Sequence, residues 1–416
     1  MFNHLQIYDP RDRWIVGGVD AVLAAVALAG RLVGSRPATT DPQRILLLRL
    51  ERVGDLIMTV DAIDAVRRLA PGAEIHLVVG SWNEDLARLI PGVDRLETLD
   101  APWLARESGG QSFVSLLARA RRWRWMRFDL AINFEGDLRT NLLAGLSGAP
   151  RRVGFDMAGG GACLTDRVPH DPRIHTSDNA LRLVERAFDR ATPPPGTPRS
   201  GGRRPRLALP PSARERAGAL IGRSVPRVGS GDANGPLVGV HAGGGRRVKQ
   251  WDPERFAAVA ARLAASHGAT IVLTGSGQDR TVVDELRAVL DPGVTTIDVV
   301  DQIGLVPLAA ILERLDLFIT GDTGPMHLAA ALGVPVVAIF GPSDPARYAP
   351  RDDRTRVVRV ELPCSPCNRI RRPPARCVGR VPDCLLGVSA DAVCDAAVEL
   401  LTRHLGERAR RSTFSE

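Results

Sequence analysis

At 416 residues the chain is too long for one compact core, and about 150 residues per domain predicts two or three domains. Hydrophobic residues at 44% and charged residues at 25% exclude a disordered, collagen-like or coiled-coil protein, and six cysteines at this length exclude a disulfide scaffold. A net charge of +8 favours anionic ligands or surfaces without choosing among nucleic acid, phosphate and lipid headgroup.

The chain opens with an apolar stretch, Trp14 to Gly30, in which Ala27-Leu28-Ala29 has the pattern of a signal-cleavage site. Asp20 interrupts that stretch, and Asp9 and Asp12 offset Arg11 and Arg13. A bilayer span needs about 20 apolar residues, and a central acid costs about 3 kcal/mol. Residues 1–43 are therefore expected to carry an amphipathic helix, lying at a membrane interface or on the protein body. Its apolar face would comprise Trp14, Ile15, Val16, Val19, Val22 and Leu23.

From Arg44 the pattern changes. Ile45 to Leu48 is a continuous apolar run, as a strand buried on both faces requires, and Arg52-Val53-Gly54-Asp55 forms a turn into a helix over Leu56 to Leu69. Further strands are predicted at Ile75–Val79 and Phe128–Ile132, the second just before Gly136-Asp137. Strands alternating with helices give a parallel sheet covered on both sides, here a domain over residues 44–190. Residues 191–235 have the Pro/Gly/Arg-rich composition of a linker, with one helical patch near Ser212 to Ile221. A second α/β domain follows over residues 236–400, with strands at Leu237–Val240, Thr270–Leu273, Leu317–Ile319 and Val336–Ile339, and residues 401–416 form a tail. Two such domains would face a cleft, with ligands beyond the carboxyl ends of the strands.

Four common signatures are missing: no G-x-G-x-x-G follows a strand, no Walker A loop surrounds the lysine, and no zinc-protease or nucleophile-elbow motif occurs. What remains is sharper. Lys249 is the single lysine among 55 basic residues, and it follows the glycine loop His241-Ala242-Gly243-Gly244-Gly245. An ammonium contacts phosphate as a compact point charge, and the glycines let the backbone approach an anion. Gly321-Asp322-Thr323-Gly324-Pro325-Met326-His327 follows another strand of the same domain, with Thr323 or Asp322 as a helix cap, Pro325 in the first turn and His327 one turn in. A capped helix N-terminus is an anion site, so two such loops point to a diphosphate. Asp55, where the first strand hands over to its helix, is either a cap or a base facing the cleft.

These segments resemble glycosyltransferase family 9, the heptosyltransferases of lipopolysaccharide core synthesis. The run Arg49 to Thr59 is similar to the family's first strand-to-helix turn. Gly321 to Gly333, continued by Phe340 to Pro345, is similar to its most characteristic segment, and Lys249-Gln250-Trp251 and Gly136 to Gly154 also match. The likeness runs from about Arg44 to Val393. It implies a GT-B fold of two Rossmann-like domains and an inverting, metal-independent transfer from a nucleoside-diphosphate sugar to a lipid-linked glycan. By matching positions it implies Asp55 as general base and Lys249 as partner of the leaving diphosphate. Thr323 and Gly324 would bind that diphosphate through the backbone, Asp322 the sugar hydroxyls, and His327 would support the donor. The loop Thr274 to Asp279 lacks the glutamate that members often direct at the nucleotide ribose, and Asp279 is the expected substitute. Arg139, Arg151 and Arg152 are the expected acceptor contacts.

Cys364, Cys367, Cys377 and Cys384 suggest either a structural zinc or free thiols in a reducing cytosol, their spacing being too uneven for a zinc ribbon. Arg119, Arg121, Arg122, Arg124 and Arg127 interleave with Trp123 and Trp125, either as the charged face of an exposed helix or, as the functional reading, as a headgroup or acceptor-phosphate contact, since no nucleic-acid motif stands beside them. A cytoplasmic monomer at the inner face of the membrane is expected. The alternatives are a nucleotide-sugar epimerase of GT-B fold and a non-catalytic nucleotide-sugar sensor, the latter having no use for a base at Asp55.

Overall fold

The computed structural model describes residues 5, 7, 9–31, 39–104, 111–190, 207–224 and 235–413, so most of the expected linker lies outside the described residues. Two compact units divide at residue 200.

The first unit is built on six parallel strands: β1 (Arg44–Arg49), β2 (Glu74–Val79), β3 (Arg95–Thr98), β4 (Leu130–Asn133), β5 (Arg151–Gly154) and β6 (Asp166–Arg167). Their order is β3-β2-β1-β4-β5-β6. Ile45 to Leu48 are fully buried, Ile45 pairing with Ile75 on one side and Leu130 on the other, which is why this strand reads as an unbroken apolar run. The edge strands β3 and β6 are short and polar, and carry no such signal. The helix expected over Leu56 to Leu69 is two helices, Val53–Ile57 and Val60–Leu69. The break falls at Met58-Thr59, where the Thr59 hydroxyl donates to the Asp55 carbonyl at 2.8 Å.

The second unit repeats the plan with β7 (Leu237–His241), β8 (Thr270–Leu273), β9 (Thr296–Asp298), β10 (Leu317–Gly321), β11 (Val336–Ile339) and β12 (Thr355–Val358). The order β12-β11-β10-β7-β8-β9, read from the other edge, is the topology of the first sheet. Trp251 and Phe256 meet edge-on at 4.8 Å in its core, and the indole N–H of Trp251 donates to the Val388 carbonyl at 3.1 Å. The helix Ala390–Thr413 lays Val393, Ala397, Leu400 and Leu401 on that core and continues through residues 401–413.

In each sheet the strand order reverses beside a central pair, β1 with β4 and β7 with β10. Crossovers leave in opposite directions at such a point, opening a crevice at the carboxyl ends where ligands bind.

The helix Pro10–Arg31 rests on the first unit. Asp20 turns inward, its carboxylate accepting the Gly160 N–H at 2.8 Å, and Val16 fills the space at Gly159, where an added Cβ would lie 2.6 Å from its methyl. Trp14, Ile15 and Val22 are 59–66% exposed on the opposite face. Among the described residues no helix is long and apolar enough to cross a membrane.

Candidate functional site

In the second unit the two loops singled out by sequence leave β7 and β10, the strands flanking the switch point. Lys249 ends a short turn after β7, and Asp322 follows β10 directly. Gly321 lets them meet: a Cβ there would lie 3.3 Å from the Lys249 carbonyl oxygen. The Lys249 ammonium then stands 2.7 Å from an Asp322 carboxylate oxygen, with side chains 19% and 12% exposed. Burial alone would push the Asp322 carboxyl up. The charge and hydrogen bond of Lys249, a hydrogen bond from Ser343 and the nearby His327 outweigh it and hold the carboxyl below its usual range.

Thr323, not Asp322, caps the helix Gly324–Ala331, its hydroxyl accepting the Met326 N–H at 3.4 Å while also bonding Thr320 at 3.0 Å. Gly324 and Pro325 open that helix, and His327 is buried on it. Gly243 and Gly244 take close approaches, to the Asp279 carboxylate and to Gln250, that a side chain would block. Asp279 is buried, accepting the Ser276 N–H at 2.9 Å and its hydroxyl at 2.8 Å, so it braces its own loop beside Gly243. His241, at the end of β7, is buried against the Thr274 hydroxyl at 3.2 Å, and burial pushes its imidazole pKa down.

In the first unit Asp55 lies just beyond β1. It is not the N-cap: Arg52 holds that position, and one Asp55 oxygen accepts the Arg52 N–H at 3.3 Å. The other stands 3.5 Å from the buried Arg49 guanidinium, and the side chain remains 27% exposed. Glu135, just beyond β4, and Glu51 stand 3.9 and 3.7 Å from the same guanidinium, so the β1/β4 switch point gathers an arginine and three carboxyl groups.

Most of the chain matches a known family. The profile of glycosyltransferase family 9 (heptosyltransferase) covers residues 117–375. The chain belongs to glycosyltransferase family 9. The transferase is 24% identical over 337 residues to lipopolysaccharide heptosyltransferase 1 of Pseudomonas aeruginosa, covering 78% of this chain and 86% of that one. It is similar to the crystal structure of a family 9 glycosyl transferase from Veillonella parvula, with a TM-score of 0.73, 24% identity, and coverage of 89% of this chain and all of the other. It also resembles the Escherichia coli ADP-heptose lps heptosyltransferase II, with a TM-score of 0.69, 20% identity, and coverage of 86% and 99%. The fold is thus GT-B, with two Rossmann-like domains, and the protein is a glycosyltransferase rather than the epimerase or sensor weighed above.

Not every expected residue of the transferase reaches a switch point. Arg139 does, opening the helix after β4 with its guanidinium 4.2 Å above the Trp103 ring. Arg151 and Arg152 do not. They start β5, paired with the first residues of β4, and so lie at the amino edge of the sheet. There Arg151 binds both oxygens of Asp189, at 2.8 and 2.5 Å, and Arg152 donates to the carbonyls of Cys163 and Ala149, both at 2.6 Å. Arg52, passed over in the sequence as part of a turn, stands 5.5 Å from the Trp82 ring and donates to the Leu104 carbonyl at 2.6 Å.

The arginine-tryptophan run lies on the helix Phe113–Met126, which returns from the carboxyl edge at β3 to the amino edge at β4. Trp123 is buried and, with Arg119, binds Glu97. Arg121, Arg122, Arg124 and the 87%-exposed Trp125 lie toward its far end, at the amino edge of the sheet rather than the carboxyl edge beyond which Asp55 lies. All of the cysteines are free thiols, and the Cys384 thiol is pushed up to about 11 by burial and by Cys367, Cys377 and Cys364. Among the described residues no group of three or more His, Cys, Asp or Glu is arranged to hold a metal ion.

Proposed function

We propose that the transferase moves a heptose from an ADP-heptose donor to the core of lipopolysaccharide, with inversion at the anomeric carbon and without a metal cofactor. Asp55 takes the proton of the acceptor hydroxyl as its oxygen bonds the anomeric carbon, and the bond from that carbon to the diphosphate breaks on the other side. Lys249 and the N–H groups at Thr323 and Gly324 receive the charge that develops on the departing diphosphate, the part that Mg²⁺ fills elsewhere. Gly243 and Gly244 admit the phosphates, Asp322 accepts from sugar hydroxyls with His327 behind it, and Asp279 borders the nucleotide. Arg139 and Arg52, each stacked on a tryptophan, orient an anionic acceptor. The single observation that carries this reading is the Lys249–Asp322 pair at the carboxyl ends of neighbouring strands, beside a capped helix N-terminus.

The acceptor is lipid-anchored, so the reading includes a cytoplasmic enzyme working at the inner face of the membrane. The outward face of the helix Pro10–Arg31 is the proposed contact, because turning Asp20 inward leaves that face without an acid at its centre.

Incubating the full chain with ADP-heptose, heptose-deficient lipopolysaccharide and excess EDTA tests the proposal. Release of ADP with formation of an inverted heptosyl product is expected. Turnover that EDTA abolishes and Mg²⁺ restores would remove the metal-free mechanism, and binding of ADP-heptose without transfer would remove the acceptor assignment.

A further inference from the structure

Glu135 is a buried acid that the transfer chemistry above does not use. Its side chain is only 4% exposed, at the carboxyl end of β4. One of its oxygens accepts two consecutive backbone N–H groups, Leu50 at 2.5 Å and Glu51 at 3.0 Å, where the chain leaves β1 for the turn that carries Asp55. The other oxygen faces Arg49, whose guanidinium donates to the Asp55 carbonyl at 3.2 Å and to the Phe134 carbonyl at 2.9 Å, and stands 3.5 Å from the Asp55 carboxylate. Glu135 is therefore joined to Asp55 by two routes, one through the backbone of the turn and one through Arg49.

We infer that Glu135 is the positioning residue for Asp55: it braces the β1 turn so that the base stands in one place at the sheet edge. The inference rests on the role proposed for Asp55. Holding an acid here is costly, since burial, then Glu51, Asp137 and Asp55, push its carboxyl well above the usual range against Arg49 alone. An apolar side chain would pack at lower cost but would leave the Leu50 and Glu51 N–H groups without an acceptor. The oxygen that accepts them does so in either protonation state. Glutamine offers the same oxygen at the same reach, whereas aspartate keeps the carboxyl but falls one methylene short.

Three variants of the full chain, E135Q, E135D and E135A, separate these features. Turnover is measured with ADP-heptose and heptose-deficient lipopolysaccharide and counted per site titrated with ADP, and backbone hydrogen exchange is followed at Leu50 and Glu51. E135A and E135D are expected to lower kcat by about 10- to 100-fold, because a displacement of order 1 Å at a reacting group has that effect, with the ADP-heptose KM within about twofold of the parent. Both should lose protection of the two amides. E135Q should keep the protection and stay within about threefold of the parent kcat. If E135A does not fold, the contrast between E135Q and E135D decides. Parental kcat in E135D, or a loss in E135Q as deep as in E135D, would overturn the inference. A parent that binds ADP-heptose but transfers nothing, while the amides respond as expected, would sink the proposed reaction and leave the brace standing.

Discussion

An ammonium and a carboxylate 2.7 Å apart occupy one another, so a diphosphate entering beside Lys249 must share or displace Asp322. That competition makes the size and shape of the cation matter. Replacing Lys249 with Arg should cost nearly as much turnover as replacing it with Ala, about 2–4 kcal/mol in transition-state stabilisation, because a planar guanidinium does not fill the place of a point charge. An Arg variant with most of the parental kcat would count against this. Asp322→Asn should destabilise the fold by up to about 3 kcal/mol at pH 7, the low end for a broken buried pair because Lys249 keeps some solvent contact. Its carboxyl is held below the usual range, so the pair stabilises the native state above the unfolded carboxyl pKa, about 4, and that contribution fades as the pH falls through the lower folded value. Urea unfolding of parent and variant should therefore converge toward acid; a gap unchanged between neutral and acidic pH would contradict the assignment. Asp55→Asn should leave ADP-heptose affinity in place and lower turnover by about 10²–10⁴-fold, the usual worth of a general base. Asn serves a purely structural bond to the Arg52 N–H as well as Asp does, so normal turnover in this variant would return Asp55 to a structural role.

At the scale of elements, the N-terminal helix shows how a polar residue inside an apolar stretch changes meaning with its partner. In sequence Asp20 is an obstacle to membrane insertion. In the fold it is an anchor, accepting the Gly160 N–H while Val16 packs against Gly159. Gly159 has φ +90°, and a Cβ there would meet Val16 at 2.6 Å. Gly159→Ala should therefore lift the helix from its seat, through both backbone strain and the contact. Limited trypsin digestion should then cleave near Arg11 and Arg13 several-fold faster while ADP binding is unchanged, and an unaltered cleavage rate would show that the helix is held elsewhere. The strands divide by the same logic. Those buried on both faces announce themselves as apolar runs, while β3, β6 and β12 lie at sheet edges, half exposed and mixed in composition, and only pairing reveals them.

At the scale of the whole molecule, each unit has its own sheet, its own switch point and its own buried core. Every residue proposed to hold the donor, from Gly243 to His327, lies in the second unit. A fragment of residues 207–416 should fold cooperatively and bind ADP with a Kd within about threefold of the full chain, since a domain with its own core folds alone. Calorimetry of the fragment with and without ADP checks this, and a fragment that fails to bind would mean that the first unit shapes the nucleotide site.

Two Rossmann-like domains and the glycine-rich and capped loops after β7 and β10 were legible in the amino-acid order because their signals are local, whereas the turn at Asp55 left cap and base open. A doubly covered strand is a continuous apolar run, and a phosphate loop is a few adjacent glycines, a cap and a charge. The tertiary structure decided what depends on pairing between distant segments. Lys249 and Asp322 are joined because β7 and β10 are neighbours across the switch point, although a whole βαβ crossover and more separates them in the chain. Glu135 reaches Leu50 and Glu51 because β4 returns to lie beside β1. Arg151 and Arg152 are drawn away from the site because the parallel register puts their end of β5 at the opposite edge. A sequence records which residues can bind an anion or hold a proton, and the order and register of the strands determine which of them share an edge.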